Sequence, residues 1–327
     1  MDDFELLRHR IPGYEAFYIP DYVTLEEEQY LIRKITETPQ QKWKQLANRR
    51  LQVWGGEITV KNVLLAQEMP PFLRSYPNIM PRLQDTGVFA SSPHRGPNHV
   101  ILNEYLPGQG IMPHEDGPTY HPVVATISLG SHSVFHYYRY NPADAHSPDG
   151  TAAPPREGGR SIDATPVLTL FLEPRSLVIS RGPMYTSHLH GIRETSQDRI
   201  SRGDKNMPPT LTDLGVQIAN WKMLSGQEAK KAMQAGGVLQ RGIRYSLTCR
   251  DVERVSCAKP FASMTAQEAA RRSCDHKRWW RCSGPNGISV ELLPTCTSRH
   301  YWHRSPAFVV LTTYKSAPLT FGRRRRM

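Results

Sequence analysis

The sequence lacks any apolar run approaching the ~18 residues of a membrane-spanning helix, which argues against a helical span. Its first ten residues, MDDFELLRHR, are charged and contain no apolar h-region, so no secretory leader is expected. Cysteine is scarce. The 327 residues hold five, an odd number, and all of them (Cys249, Cys257, Cys274, Cys282 and Cys296) lie at or beyond position 249. A disulfide scaffold is therefore not expected, and a cytoplasmic and nuclear location is. The spacing of Cys274, Cys282, Cys296, His300 and His303 does not follow the paired short intervals of a structural zinc site. Acidic residues are also in deficit, with 30 Asp and Glu against 41 Lys and Arg, a net charge of +11. The deficit is local. Residues 251–327 hold 14 of the basic residues and 5 of the acidic ones, which leaves residues 1–250 at only +2. Overall basicity is thus weak support for a nucleic-acid partner, even with Arg323–Arg326 at the C-terminal end. Core-forming residues are not lacking. A 39% hydrophobic content in a chain of this length allows one large domain or two small ones and excludes a disordered polyampholyte.

Residues 14–23 read as extended, and Pro20-Asp21 breaks them. Thr24-Leu25-Glu26-Glu27 then has the form of a capping box, with Glu27 three residues after an N-cap Thr24. Leu31, Ile32 and Ile35 give the following helix an apolar edge, and it should run to about Glu37, before Pro39. From residue 98 the pattern changes to short segments rich in β-branched and aromatic residues: 98–106, 123–129, 133–138, 167–172, 176–180 and 241–250. Many short strands in one domain predict a mainly β fold with flanking helices, a sandwich or a jelly roll. Residues 141–165, rich in Pro, Gly and Ala, and 193–238 read as loop insertions. The second of these should hold a helix around 211–224 and another at 228–234.

The segment Asn103-Glu-Tyr-Leu-Pro-Gly-Gln-Gly-Ile-Met-Pro-His114-Glu-Asp116-Gly carries the first chemistry. Residues two apart on extended chain point to one side, so His114 and Asp116 can share a metal. A later histidine would complete two imidazoles and one carboxylate, the set that leaves open positions on a non-haem Fe(II). His188 and His190, in Tyr185-Thr-Ser-His-Leu-His-Gly-Ile192, both qualify, and strand alternation does not choose between them. His121, His132, His136 and His146 have no such context. In Arg244-Tyr-Ser246-Leu-Thr248-Cys-Arg250, alternation puts two guanidiniums and two hydroxyls on one face. That face is costly in a plain core and suits a dicarboxylate, because arginine pairs with carboxylate through a planar fork. Asn103 and Tyr105 share a strand face and could add an amide and a phenol to the same anion pocket.

In this order, Asn-x-Tyr, His-x-Asp, His-Gly-Ile and Arg-x-Ser-Leu-Thr-x-Arg resemble the AlkB family of Fe(II)- and 2-oxoglutarate-dependent dioxygenases, above all the AlkB homologue six subgroup. Further support comes from Phe17-Tyr-Ile-Pro-Asp-Tyr, Leu51-Gln-Val-Trp-Gly-Gly, Thr126-Ile-Ser-Leu-Gly-Ser-His and Arg181-Gly-Pro-Met-Tyr, and the resemblance spans residues 14–252. It implies a double-stranded β-helix (jelly roll) with an N-terminal α/β extension over the site. The domains would be an extension and substrate lid at 1–97, a dioxygenase core at 98–252, and a basic, poorly ordered appendage at 253–327 without a counterpart in the family. It further implies that His114, Asp116 and His190 bind Fe(II), since the family places the distal histidine directly before Gly-Ile. Arg244 would hold the distal carboxylate of 2-oxoglutarate with Tyr105 and Ser246, and Asn103 and Arg250 would complete the pocket. Ser246 stands where the bacterial enzyme has Asn. The implied reaction consumes O₂ and 2-oxoglutarate and releases succinate and CO₂; on an N-methyl group it also releases formaldehyde. The expected partner is a nucleic acid presenting a single-stranded or flipped alkylated base. Trp43, Arg50, Gln52 and Trp54, with Lys44 and Arg49 among them, combine bases and aromatics as a stacking lid would; the other reading is that the tryptophans anchor the N-terminal layer. The alternatives are a protein-directed hydroxylase or demethylase, and a jelly-roll binding protein without turnover.

Overall fold

A computed structural model describes residues 3–141, 160–204 and 207–256, all within the unit Met1–Phe261. The zinc-spacing and basic-tail readings of the C-terminal segment, and most of the 141–165 loop, lie outside the described residues. Among the described residues no helix is long and apolar enough to cross a membrane.

The chain begins with α1 (Asp3–Leu7), β1 (Ala16–Ile19) and α2 (Leu25–Thr36). Helix α2 starts where the local chemistry predicts. The Thr24 hydroxyl accepts from the Glu27 backbone N–H, and the Glu27 carboxylate accepts from that of Thr24. Its Leu31 and Ile35 are fully buried. A hairpin of β2 (Lys44–Leu46) and β3 (Arg49–Trp54) follows, then β4 (Gly56–Ile58), β5 (Leu64–Ala66), α3 (Pro71–Arg74) and α4 (Ile79–Asp85). The next strands are β6 (His99–Tyr105), β7 (Ile111–His114), β8 (Tyr120–Leu129), β9 (Ser133–Tyr138), β10 (Leu168–Leu172) and β11 (Leu177–Arg181). Helix α5 (Pro183–Thr186) leads into β12 (Leu189–Ile192) and β13 (Gln197–Ser201). The described chain ends with β14 (Thr210–Leu211), β15 (Val216–Gln217), α6 (Gln227–Ala235), β16 (Gly237–Gln240), β17 (Arg244–Val252) and β18 (Val255–Ser256).

Two antiparallel sheets form the jelly roll, a seven-stranded one ordered β1-β11-β8-β17-β6-β3-β2 and a four-stranded one ordered β10-β9-β12-β7. Strand parity divides the large sheet cleanly. On β17, Tyr245, Leu247 and Cys249 join Leu31, Ile35, Leu73, Leu83 and Leu102 in an apolar cluster under the N-terminal helices. Arg244, Ser246, Thr248 and Arg250 face the other way, into a cavity shared with the small sheet. The mainly β, jelly-roll expectation holds.

The insertion at 193–238 differs from its reading as loop with a helix at 211–224. It builds a four-stranded sheet, β15-β14-β13-β16. Residues 211–224 contribute β14, β15 and a single 3₁₀ turn at Trp221–Met223. Leu211 and Ile218 are buried seven residues apart, a spacing that mimics two turns of a helix. Gly215, at φ +63°, reverses the chain between them instead, with its N–H donated to the Leu211 carbonyl. The helix expected at 228–234 is present as α6.

Candidate metal centre

The site begins with a strand pairing. Strand β12 runs antiparallel to β7, and His190 stands directly opposite His114. A Cβ on Gly110 would collide with the Ile192 carbonyl, so glycine is required where β7 meets β12. Cross-strand pairing brings the two imidazoles side by side, with ring centroids 4.4 Å apart. Asp116, two residues beyond His114, has its Oδ1 3.9 Å from His190 Nε2. One ligand atom from each of the three residues lies within 4.8 Å of the others. His114 Nδ1 donates to the Met112 carbonyl at 2.9 Å. That bond fixes the tautomer and leaves Nε2 with its lone pair. His188 instead donates its Nδ1 hydrogen to the Pro183 carbonyl and stays outside the cluster.

Electrostatics prepare His190 and Asp116 as ligands. Burial pushes the His190 imidazolium down to a pKa of about 4, against the pull of Asp116, so the ring is neutral at physiological pH. Burial alone would raise Asp116, but the Arg250 guanidinium, followed by His190, holds it below the ordinary carboxylate value. Arg250 Nη2 donates to Asp116 Oδ1. The other oxygen, Oδ2, is buried and has no partner among the described residues. Two imidazoles and an ionised carboxylate with a free oxygen fit a divalent iron with open positions. Phe135 stacks on His190 at 5.4 Å and walls this side from water.

The adjoining cavity is lined by Asn103, Tyr105, Arg244, Ser246 and Arg250 together with His114 and His190. Arg244 is 3% exposed. Its Nη2 donates to Ser128 Oγ at 2.9 Å, whereas Nε and Nη1 have no partner among the described residues. Its guanidinium lies 5.5 Å from the centroid of the Tyr105 ring. Burial without a counter-charge brings its pKa down from 12.5 to about 10. A buried cation with two unpaired donors is costly unless an anion occupies the space beside it. The carboxylate of a small dicarboxylic acid fits. The structure therefore brings together all eight residues expected at the metal and the anion pocket, with Arg250 divided between the cavity wall and Asp116. Thr126, Ser180 and Thr248 also line the cavity. Their signal in the sequence is a hydroxyl at the inward parity of otherwise apolar strands.

The four residues expected in a substrate lid are not at this cavity, and that reading is corrected. Pairing of β3 with β6 sets Arg50 opposite Glu104, Gln52 opposite Leu102 and Trp54 opposite Val100. Leu102 and Val100 belong to the cluster under the helices. Gln52 is fully buried there; it donates to the Ile35 carbonyl and accepts from the Trp54 indole N–H. Trp54 meets Phe72 edge-on at 5.7 Å. Arg50 forks onto Glu104 and lies 4.1 Å over the Trp43 ring. Alternation along β3 turns Arg50, Gln52 and Trp54 away from the His-Asp-His cluster, and with Trp43, which packs against the same apolar cluster, they fasten the N-terminal helices to the sheet.

The family model described as the 2OG-Fe(II) oxygenase superfamily matches residues 15–250. The chain belongs to this superfamily. The oxygenase is 37% identical over 246 residues to the "Probable RNA/DNA demethylase ALKBH6" of Danio rerio, which covers 75% of this chain and 89% of the relative. It is 24% identical over 245 residues to the "tRNA (carboxymethyluridine(34)-5-O)-methyltransferase ALKBH8" of Macaca fascicularis, covering 73% of this chain and 30% of that protein. Among solved structures, "The structure of OsALKBH1" aligns with a TM-score of 0.40 at 13% identity, over 74% of this chain and all of the other. The oxygenase is an AlkB homologue, a dioxygenase dependent on Fe(II), 2-oxoglutarate and O₂.

Proposed function

We propose that this oxygenase oxidatively demethylates alkylated nucleic-acid bases, with His114, Asp116 and His190 holding Fe(II) and Arg244, Tyr105, Ser246 and Asn103 holding 2-oxoglutarate. The observation that carries the site assignment is a buried arginine with two unpaired donors beside a His-Asp-His cluster. The nucleic-acid reading is supported by the relationship to a protein described as a probable RNA/DNA demethylase. Bound iron supplies O₂ activation at the expense of 2-oxoglutarate, which leaves as succinate and CO₂. The protein's own groups do the rest. Arg244 neutralises the distal carboxylate from a buried position, where that pairing is strongest. The Tyr105 and Ser246 hydroxyls hold the same end. Arg250 favours the ionised form of Asp116 and leaves its Oδ2 without a hydrogen-bond donor, so that Asp116 would be available to hold the iron. An N-methyl group hydroxylated at its carbon collapses to formaldehyde and the free amine, and the base that carries it must leave its stack to reach the site.

The test is succinate and formaldehyde release over a panel of N-methylated single-stranded DNA and RNA oligonucleotides and methylated peptides, with His114→Ala and Asp116→Ala as controls. Formaldehyde formation that depends on an oligonucleotide and disappears in both variants is expected. Turnover with peptides alone would move the assignment to a protein-directed oxygenase. No succinate with any substrate would leave only a binding module.

A further inference from the structure

The placement of the lid residues leaves two basic residues of the β2–β3 hairpin on the cavity side, Lys44 and Arg49, and of these Arg49 bonds to a residue that lines the cavity. Leu51 is paired with Asn103 across β3 and β6, so odd-numbered residues of β3 share the face of Asn103 and Tyr105. Arg49 is therefore on the metal side of the sheet and Arg50 on the helix side. Arg49 Nε donates to Asn103 Oδ1 at 3.0 Å. The neighbouring Asn48 amide donates to Glu194, just beyond β12, which ties the tip of the hairpin to the strand that carries His190. Arg49 is half-buried, and its charge reaches Tyr105 as well.

A guanidinium can only donate, so the Asn103 amide must present its oxygen to Arg49 and its NH₂ to the opposite side. That side is the cavity, which Asn103 lines. No described group accepts from Asn103 Nδ2. An asparagine without Arg49 could turn over and offer an oxygen to the cavity, where it would repel a carboxylate. We infer that Arg49 is a positioning residue for the cosubstrate: by holding the Asn103 amide oxygen, it keeps the Nδ2 donor aimed into the cavity for a carboxylate oxygen of 2-oxoglutarate. The inference rests on the proposed 2-oxoglutarate site and adds to it a residue that reaches the cosubstrate only through another side chain.

The test is calorimetric titration of 2-oxoglutarate into the full chain loaded with Mn(II) in the absence of O₂, accompanied by steady-state succinate formation with Fe(II). Arg49→Met should weaken 2-oxoglutarate binding about tenfold and raise its KM in step, with kcat within about twofold. Arg49→Lys, which keeps a charged donor, should recover most of the loss. On an Asn103→Ala background Arg49→Met should change binding by less than about twofold, because the amide it orients is gone. Arg49→Gln repeats the measurement should the methionine variant fold poorly. Equal binding by wild type and Arg49→Met, or the same loss on both backgrounds, would overturn the inference while leaving the pocket intact. Absence of 2-oxoglutarate binding by the wild-type protein would instead remove the proposed site itself.

Discussion

Replacing Arg244 by methionine should separate stability from function in opposite directions. The wild-type fold holds this guanidinium buried, with one bond to Ser128 and two donors without a described partner. The fall of its pKa from 12.5 to about 10 is equivalent to roughly 3 kcal/mol against the charged form. The sign follows from the two states. A base whose pKa is lower when folded is penalised wherever it is protonated in both states, which includes neutral pH. Methionine removes that penalty and keeps an unbranched side chain of similar reach, at the loss of about 1 kcal/mol for the bond to Ser128. The expected net gain is about 1–2 kcal/mol, or roughly 4 °C in Tm for a unit of this size. With 2-oxoglutarate and Mn(II) at ~100 times Kd, the wild-type protein gains about 2.7 kcal/mol and the variant gains little of it. Thermal unfolding without O₂, with and without 2-oxoglutarate, should therefore show the ranking reverse. A variant less stable than wild type in the absence of 2-oxoglutarate, or stabilised by it to the same extent, would refute the assignment of Arg244 as a cation waiting for a carboxylate.

His114→Ala and His190→Ala should each lower succinate formation by more than about 100-fold, and equilibrium dialysis should show weaker Fe(II) retention in both. Trp54→Ala should destabilise the protein by about 2–4 kcal/mol through lost packing against Phe72 and Gln52; kcat per folded molecule should stay within about twofold, and a selective loss of oligonucleotide turnover would restore the stacking-lid reading. His99 and His136 are buried, and burial holds both imidazoles down to a pKa of about 4. The unfolded chain takes up their protons first, so stability should be present above pH ~6.5 and be lost as pH falls from there toward 4, by about 2 kcal/mol per histidine between pH 7 and pH 5. Urea unfolding at the two pH values checks this. His190 is held down in the same way, so His136→Asn should remove about a third of the difference these three histidines make, and equal stability at pH 7 and pH 5 would contradict it.

Much of the site is written in short stretches of sequence. The capping box of Thr24 and Glu27 forms as read because its bonds span three residues. His114 and Asp116 lie together because extended chain repeats every two residues. Arg244, Ser246, Thr248 and Arg250 share a face for the same reason, and their polarity marks that face as a site within an otherwise apolar strand. Where a reading depended on more than local geometry it failed or stayed open. The run Arg49-Arg50 contains one residue on each side of a sheet, and nothing within it says which is which. The buried Leu211 and Ile218 have helical spacing although a turn at Gly215 separates them.

Sequence alone therefore determined the chemical inventory: two imidazoles, a carboxylate, an arginine-bearing strand face, and a fold made of short alternating strands. Tertiary structure decided the partners. Pairing of β12 with β7 places His190, and not His188, opposite His114. Pairing of β3 with β6 sends Gln52 and Trp54 to the helices and Arg49 to the cavity. The physical reason is the period of the strand. Alternation assigns each residue to one of two faces, but only hydrogen-bonded register with a strand some fifty to seventy-five residues away says which of those faces meets the metal.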